Sequence, residues 1–174
     1  MSKDVDRYHP RRMELDLSPE GQLAVIRGQR FLTMALCQGQ QPYLASMNYA
    51  YREEERCFYV HSSVEGKKLD ILRANPAVWG QIVEDRGYDA RKCTHSYRSV
   101  QFQAVAEFVD DPAEMVRALG WMIEHGNPDP EPLKRKMQSS PPGPGDVRVL
   151  RLRVLGMSGK CNPAEAGGAN KAKV

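Results

Sequence analysis

Apolar and polar residues alternate over much of this chain of 174 residues, and a period of two predicts a structure built mainly from β-strands. The clearest alternation is at 42–51, where tyrosine, alanine and methionine share one face and leucine, serine, asparagine and alanine share the other. The charged run at 52–56 predicts the tip of a hairpin that leads into a strand at 57–61. By the same criteria, further strands are predicted at 30–37, 77–83, 97–109 and 146–155.

Three helices are predicted from the residues at their ends. Ser18 and Asp111 each precede a proline, which is the usual order of an N-cap and a first helical residue, and these two helices end at Gly28 and Gly126. A helix between the third and fourth strands ends before Pro76, because the residue preceding a proline disfavours the helical conformation. The core face of the last of these helices is predicted to consist of Met115, Leu119 and Met122.

The predicted order is helix, three strands, helix, two strands, helix and one strand. We therefore expect a mainly β (α+β) fold, a six-stranded antiparallel split β-barrel with short flanking helices. The polar segment 84–94 is expected to be a loop. The proline-rich segment 127–146 leaves room for a short helix at 131–138.

Composition adds a domain organisation and excludes several functions. Residues 1–17 are expected to form an irregular N-terminal arm, 18–159 a single domain, and 160–174 a flexible tail rich in glycine and alanine. The net charge is +3 and the basic residues are scattered, which does not fit a nucleic-acid interface. No apolar run is long enough to cross a membrane, and the N-terminus lacks the apolar stretch of a signal peptide, so we expect a cytoplasmic protein.

Cysteine and tryptophan residues are expected to be structural. None of the four cysteines forms a CxxC pair, so we expect reduced thiols and no metal site. Trp79 and Trp121 are expected in the core.

The segment 59–70 carries the most informative chemistry. It is predicted to leave a strand and enter a helix, with Ser62 and Glu65 at the spacing of a capping box. Lys67 and Lys68 follow in the first helical turn, where unpaired N–H groups and the helix dipole already favour an anion. A lysine pair at this position indicates a bound phosphate, and the alternative is a solvated helix start with two surface lysines.

Three segments combine small polar groups with aromatic residues on strands. They are Pro42–Tyr49, His61–Asp70 and Ser96–Val100. Exposed backbone groups on such strands can pair with the edge of a flat polar ring, while hydroxyls and lysines can hold a phosphate. Together the segments suit a phosphorylated heteroaromatic cofactor.

The sequence resembles flavoproteins related to pyridoxamine 5′-phosphate oxidase, which have an FMN-binding split barrel. Within that superfamily it is most similar to the branch that includes the nitroimidazole-resistance (Nim) proteins. The matching segments are PYLASMNYAY at 42–51, FYVHSSVEGKKLDILRANPAV at 58–78 and YRSVQFQAVAEFVDDPAE at 97–114. The resemblance runs from about residue 12 to residue 155.

The resemblance implies a homodimer with FMN at the subunit interface. It implies that Met47, Asn48 and Tyr49 lie along the isoalloxazine ring, although an alternating strand equally favours core packing for the Met47 and Tyr49 side chains. It implies that Lys67, Lys68 and Ser99 hold the phosphate. His61 occupies the position of the histidine near the flavin in the Nim branch, and it is the candidate catalytic residue. The full set of candidate cofactor-binding residues is Met47, Asn48, Tyr49, His61, Ser62, Lys67, Lys68, Ser99 and Val100.

For His61, two interpretations stay open: a proton donor or substrate contact beside the flavin, or a hydrogen-bonded histidine at a strand end. The function expected first is a flavin-dependent reductase or oxidase of a small molecule, with nitroaromatic reduction as one candidate reaction. The alternatives are a non-catalytic FMN carrier or sensor, and a related split barrel that binds haem or a deazaflavin. Haem would need His61 or His95 as its axial ligand. The C-terminal arginine and histidine motifs of the fuller pyridoxamine phosphate oxidases are missing, which argues against that oxidase activity.

Overall fold

Six antiparallel strands close into a barrel in a computed structural model that describes residues 15–90, 93–143 and 145–162. Around the barrel the strands follow the order β1-β2-β3-β6-β5-β4, and β4 pairs back onto β1. The strands are β1 (Phe31–Gln38), β2 (Gln41–Arg52), β3 (Cys57–Ser62), β4 (Ala77–Asp89), β5 (Thr94–Phe108) and β6 (Arg148–Asn162). The helices are α1 (Pro19–Gly28), α2 (Lys67–Ala74), α3 (Pro112–Gly126) and α4 (Glu131–Ser139). The predicted barrel fold and element order are confirmed.

Two predicted boundaries are wrong, because backbone pairing continues through polar sequence. Much of the loop predicted at 84–94 is strand: β4 extends to Asp89 and pairs with β5, with an irregularity between Asp85 and Tyr88. The last strand likewise passes the predicted start of the tail, since Lys160 to Asn162 pair with β5. The predicted arm and tail otherwise fall mostly on 1–14 and 163–174, outside the described residues.

Two helix starts are confirmed and one is corrected. The Ser18 hydroxyl accepts a hydrogen bond from the Gly21 amide at 3.2 Å, and the Asp111 carboxylate caps α3 in the same way. At α2 the N-cap is Gly66, with φ of +139° and no side-chain cap. The capping box predicted from Ser62 and Glu65 is therefore wrong, because Ser62 is still the last residue of β3.

The core has two parts. Inside the barrel the rings of Phe58 and Phe102 stack at 4.3 Å, and Gly80 leaves the space for this, since a Cβ there would lie 2.0 Å from the Phe102 ring. Outside the barrel, α3 packs on β2, β3 and β6 and buries the predicted core face together with Tyr59 and Val149. No helix in the described part of the chain is long and apolar enough to span a membrane.

Candidate functional site

A single row of outward-facing residues connects several of the predicted site residues. Ser99 of β5 pairs with Val83 of β4, and Phe31 of β1 pairs with Asn48 of β2. Extending the β1–β4 register places Val83 beside Phe31, and extending the β2–β3 register places Asn48 beside His61. Asn48 and His61 are therefore neighbours on β2 and β3. Ser99 is three strands away, on the order of 14 Å at the usual strand spacing.

The first half of β2 has an unpaired edge. β1 pairs with residues 41–48 on one side, whereas β3 pairs only with residues 49–52 on the other. Because β3 ends at Ser62 and the chain turns into α2, no strand of the described residues covers 41–48 on that side. We call this segment the open edge of β2. Its backbone N–H and C=O groups are available to a ligand with a polar, planar rim.

The side chains of Met47 and Tyr49 point into the barrel. Their exposed fractions are 9% and 1%, and the Tyr49 hydroxyl donates a hydrogen bond to the Ile26 carbonyl at 2.7 Å. Burial raises the pKa of this phenol far above its usual value. The two side chains thus have the core role that the alternation allowed, and only their backbone remains for a ligand. Asn48 points outward, and its amide donates to the Arg30 carbonyl at 3.3 Å.

Lys67 and Lys68 are the first two residues of α2, as predicted. The Lys67 ammonium lies 5.3 Å from the centre of the Tyr43 ring, so it stands beside the open edge of β2. Neither lysine forms a salt bridge within the described ranges. The helix start, whose N-cap supplies no side-chain acceptor, therefore carries uncompensated positive charge.

His61 lies on the outer surface of β3, next to this charge. Loss of surrounding water lowers the pKa of its imidazole, and the Lys68 ammonium lowers it further. The ring is therefore neutral at neutral pH and can accept a proton from, or share one with, a neighbouring molecule. Its partly exposed side makes it reachable from solvent.

The other predicted residues are placed less directly. Ser62 and Val100 both point into the barrel, and the Ser62 hydroxyl is buried without a hydrogen-bond partner among the described residues. Val100 is fully buried, so its side chain cannot touch a ligand outside the barrel. Ser99 is 8% exposed in the outward row. Within one chain the structure does not bring Ser99 to the lysines.

An apolar pocket that sequence reasoning missed lies above Asn48 and His61. It has a volume of about 480 Å³ and is enclosed by α3, α4 and the segment that follows α4. Its apolar lining comes from Leu119, Met122, Ile123, Leu133 and Met137. The sequence signal was present, since α3 and α4 carry these apolar residues, but only the fold shows that they face the two polar site residues.

A polar hollow of about 610 Å³ on the other side of the α2 start was also missed. Arg73 and Arg148 line it, and the first of these is paired with Asp70 at 2.8 Å. The Arg148 Nε is buried without a hydrogen-bond partner in the described residues.

Four large apolar side chains are exposed on the outer surface of β1, β2 and β4. We call these residues the bare face, and their exposed fractions are Phe31 62%, Leu44 67%, Trp79 45% and Val83 48%. The expectation that Trp79 belongs to the core is wrong, because its position in β4 points outward while its neighbours Val78 and Gly80 point in. A patch of this kind is typical of an interaction surface.

Potential metal ligands do not cluster. Among the described residues, no group of three or more His, Cys, Asp and Glu side chains is arranged to hold a metal ion. His95 lies at the β4–β5 hairpin, 3.8 Å from the Asp85 carboxylate, and is separated from His61 by several strands of the barrel.

Comparison with known proteins gives a family and a set of similar folds. The sequence profile of the family described as pyridoxamine 5′-phosphate oxidase matches residues 19–161. No curated protein sequence matches the chain.

Three solved structures illustrate the structural similarity. A proposed 5-nitroimidazole antibiotic resistance protein from Bacteroides thetaiotaomicron is 22% identical, with a TM-score of 0.67 over 84% of this chain and 86% of that one. An FAD-binding protein from Mesorhizobium loti is 22% identical, with a TM-score of 0.61 over 85% and 97%. An FAD- and haem-binding protein from Mycobacterium smegmatis is 13% identical, with a TM-score of 0.64 over 80% and 69%. At these identities the likeness establishes the shared fold.

Proposed function

This chain belongs to the pyridoxamine 5′-phosphate oxidase family, and from that premise we propose that it is a flavoprotein that binds FMN and reduces or oxidises a small molecule in the cytoplasm. The observation that carries the proposal is the open edge of β2 beside an uncompensated lysine pair at a helix start. One feature suits a flat polar ring and the other suits a phosphate, which are the two ends of FMN.

The phosphate end is assigned to α2. Lys67 and Lys68 occupy its first turn, and the free N–H groups of that turn add to their attraction for an anion. The Lys67 ammonium near the Tyr43 ring orients the charge towards β2 rather than away from the barrel. Charge-assisted hydrogen bonds to a phosphate would satisfy groups that otherwise face solvent.

The ring end is assigned to the open edge of β2. Backbone groups of the open edge up to Met47 and the outward amide of Asn48 are the donors and acceptors available there. FMN, when bound, supplies the redox chemistry, accepting and passing on a hydride or single electrons. The chain itself would bind and orient the ring, and His61 beside Asn48 would hold a proton at the edge of the site. Nitroaromatic reduction is one reaction of this class.

We propose that the functional unit is a two-fold homodimer. The bare face offers an apolar surface that a second copy would cover, and one barrel alone provides little concave surface for a flavin. A dimer also accounts for Ser99: the second copy would bring its own Ser99 to a site that the first chain's Ser99 does not reach.

The test is to titrate flavin-free protein with FMN and with riboflavin, which lacks the phosphate. We expect the double variant Lys67→Ala/Lys68→Ala to lose about 2–4 kcal/mol of FMN binding and little riboflavin binding, because each charge-assisted bond contributes about 1.5–3 kcal/mol without full additivity. Arg73→Ala, at the other end of α2, is the matched control. Unchanged FMN affinity in the double variant would remove the phosphate assignment.

Two alternatives are separated by further measurements. One neighbour of this fold binds both FAD and haem, and a Soret band in the purified protein would favour haem with His61 or His95 as ligand. A flavin spectrum without turnover by a reduced nicotinamide and an acceptor would favour a carrier or sensor.

A further inference from the structure

The pocket between α3, α4 and the barrel has the size and walls of a binding site for an organic molecule. Its volume of about 480 Å³ lies within the range of about 300–1,000 Å³ that is usual for small-ligand sites. Leu119 and Ile123 of α3 and Leu133 and Met137 of α4 provide facing apolar walls. The floor contains Asn48, so the pocket adjoins the open edge of β2 without including its unpaired backbone.

The α4 wall is attached to the protein by polar contacts and by the partly buried side chain of Met137, which packs against the apolar cluster beneath α3. None of its residues is buried, and Leu133 is 44% exposed although it lines the pocket. The helix is fixed to α3 by Lys134, whose ammonium lies 2.8 Å from Glu124 of α3 and 3.3 Å from Glu131 of α4. Leu133, by contrast, lines the pocket while 44% exposed, as it would be if a ligand completed the packing.

The charge around the pocket has one sign. No acidic residue of the described ranges lines it, and the two nearby glutamates are both engaged by Lys134. Lys136 does line it and forms no salt bridge within the described part of the chain. His61, on the floor, is held neutral by its surroundings and by Lys68. The pocket therefore combines apolar walls with a single available cation.

We propose that this pocket binds an apolar organic anion about the size of a two-ring aromatic molecule, with its anionic group at Lys136 and its rings between α3 and α4. The assignment of this pocket as the substrate site rests on the proposed flavin function, because His61 and Asn48 join the pocket to the assigned flavin position. As a binding site it stands on the walls and the charge alone.

The test uses two probes of the same shape in isothermal titration calorimetry on the FMN-saturated protein. 8-Anilinonaphthalene-1-sulfonate is anionic, and N-phenyl-1-naphthylamine is its neutral counterpart. We expect about one site per chain for each probe. Ile123→Trp, which fills the pocket, should weaken both probes at least tenfold, whereas Leu155→Trp, on an exposed leucine of β6, should not change them.

The charge is tested separately. Lys136→Gln should weaken the anionic probe roughly three- to tenfold, as for an exposed charge pair, and leave the neutral probe unchanged. Arg135→Gln makes the same charge change one residue away, outside the pocket lining, and should affect neither probe. Equal binding of the anionic probe to wild-type protein and Lys136→Gln would overturn the assignment of an anion.

Failure of the pocket and failure of the flavin function are distinguishable. If Ile123→Trp leaves both probes bound as in the wild type, the pocket proposal is wrong and the flavin proposal is unaffected. If Ile123→Trp abolishes FMN binding as well, the pocket is part of the flavin site, and the separate organic-anion site is overturned. If the wild type binds both probes but not FMN, the binding site stands and its role as the substrate site falls.

Discussion

Two outer faces of the same barrel, one covered and one bare, differ in what they present to water. On β3, β6 and the end of β2, outward side chains meet α3, which buries Ala50, Tyr59 and Val149. Around that contact Arg151 joins Glu107 at 2.8 Å and Glu114 at 3.0 Å, so charged groups close the margin. On β1, β2 and β4, no helix of the described chain covers the large side chains of the bare face.

The difference separates the part of the alternating pattern that is buried within one chain from the part that we propose is covered by a second copy. Both faces come from the same period-two sequence, yet only one has its apolar surface buried within a single chain. The site row crosses the bare face and reaches the junction at one end, with Asn48 at the margin of the bare face and His61 beside the covered one. A flavin site at this margin fits a function that needs both a rigid helix-backed side and a side completed by a second copy.

The largest effect should come from placing charge on the bare face. If the proposed two-fold dimer forms through this face, Trp79→Asp puts a carboxylate into both halves of the interface, and two lost contacts of about 2 kcal/mol each would cost about 4 kcal/mol, roughly a thousandfold in the dimer dissociation constant. Sedimentation velocity at micromolar concentration measures it. Gln38→Asp, at the exposed end of β1 and outside the bare face, is the control. A Trp79→Asp protein that sediments like the wild type would show that this face is not the interface.

The covered face should respond in stability instead. Met115→Ala removes a buried side chain, 3% exposed, from beneath α3 and should cost about 3 kcal/mol of unfolding free energy. Urea unfolding measures this loss. The difference in unfolding free energy between Met115→Ala and the wild type should be the same at low and high protein concentration. Leu133→Ala, on exposed α4, should change stability by less than about 1 kcal/mol. Similar losses in both variants would contradict the distinction between the faces.

At the margin, His61 can be tested for a catalytic role. If it acts beside the flavin, His61→Ala should lower turnover by about 10²-fold, the lower end for a general acid or base, and leave FMN affinity nearly intact. Steady-state reduction of a quinone or nitroaromatic acceptor, with flavin occupancy measured in the same sample, gives both numbers. His95→Ala, at the distant hairpin, is the matched control. Full turnover at full occupancy would leave His61 a scaffold residue for that acceptor.

The smallest effect concerns pH. His125 at the end of α3 bonds the Gln29 carbonyl through Nε2 at 2.7 Å, and burial lowers the pKa of its imidazole. The unfolded chain therefore takes up the proton first, so stability should fall as pH drops below 6.5, before the loss tied to Glu107, whose pKa is lowered by Arg153, begins below 4.5. His125→Gln should flatten the slope between these two pH values. An unchanged slope would remove His125 from the effect.

Much of the fold was accessible from the sequence because local signals agreed with the tertiary structure. The proline starts after Ser18 and Asp111 and the alternation at 42–51 each predicted what the structure contains. The errors arose where pairing overrode composition. Polar residues 84–89 belong to β4 because its ladder with β5 continues past an irregularity, and Ser62 does not cap α2 because β3 extends through it.

The site was only partly accessible for a related reason. Alternation shows that Asn48 and His61 are on outward positions, but their adjacency depends on the register between β2 and β3. The open edge of β2 depends on where β3 stops, and the pocket above the site depends on how α3 and α4 fold back. These features are formed by residues that lie far apart in the sequence, so no local pattern predicts them. The same holds for the distance between Ser99 and the lysines.

Native mass spectrometry of the protein incubated with excess FMN tests whether the chain forms a dimer that binds FMN, because it counts chains and cofactors in the same particle. We expect a particle of two chains with two FMN molecules, and we expect that the Trp79→Asp protein no longer forms this particle. A single chain carrying FMN, or a stable dimer that holds no flavin at saturating FMN, would contradict the proposed FMN-binding homodimer.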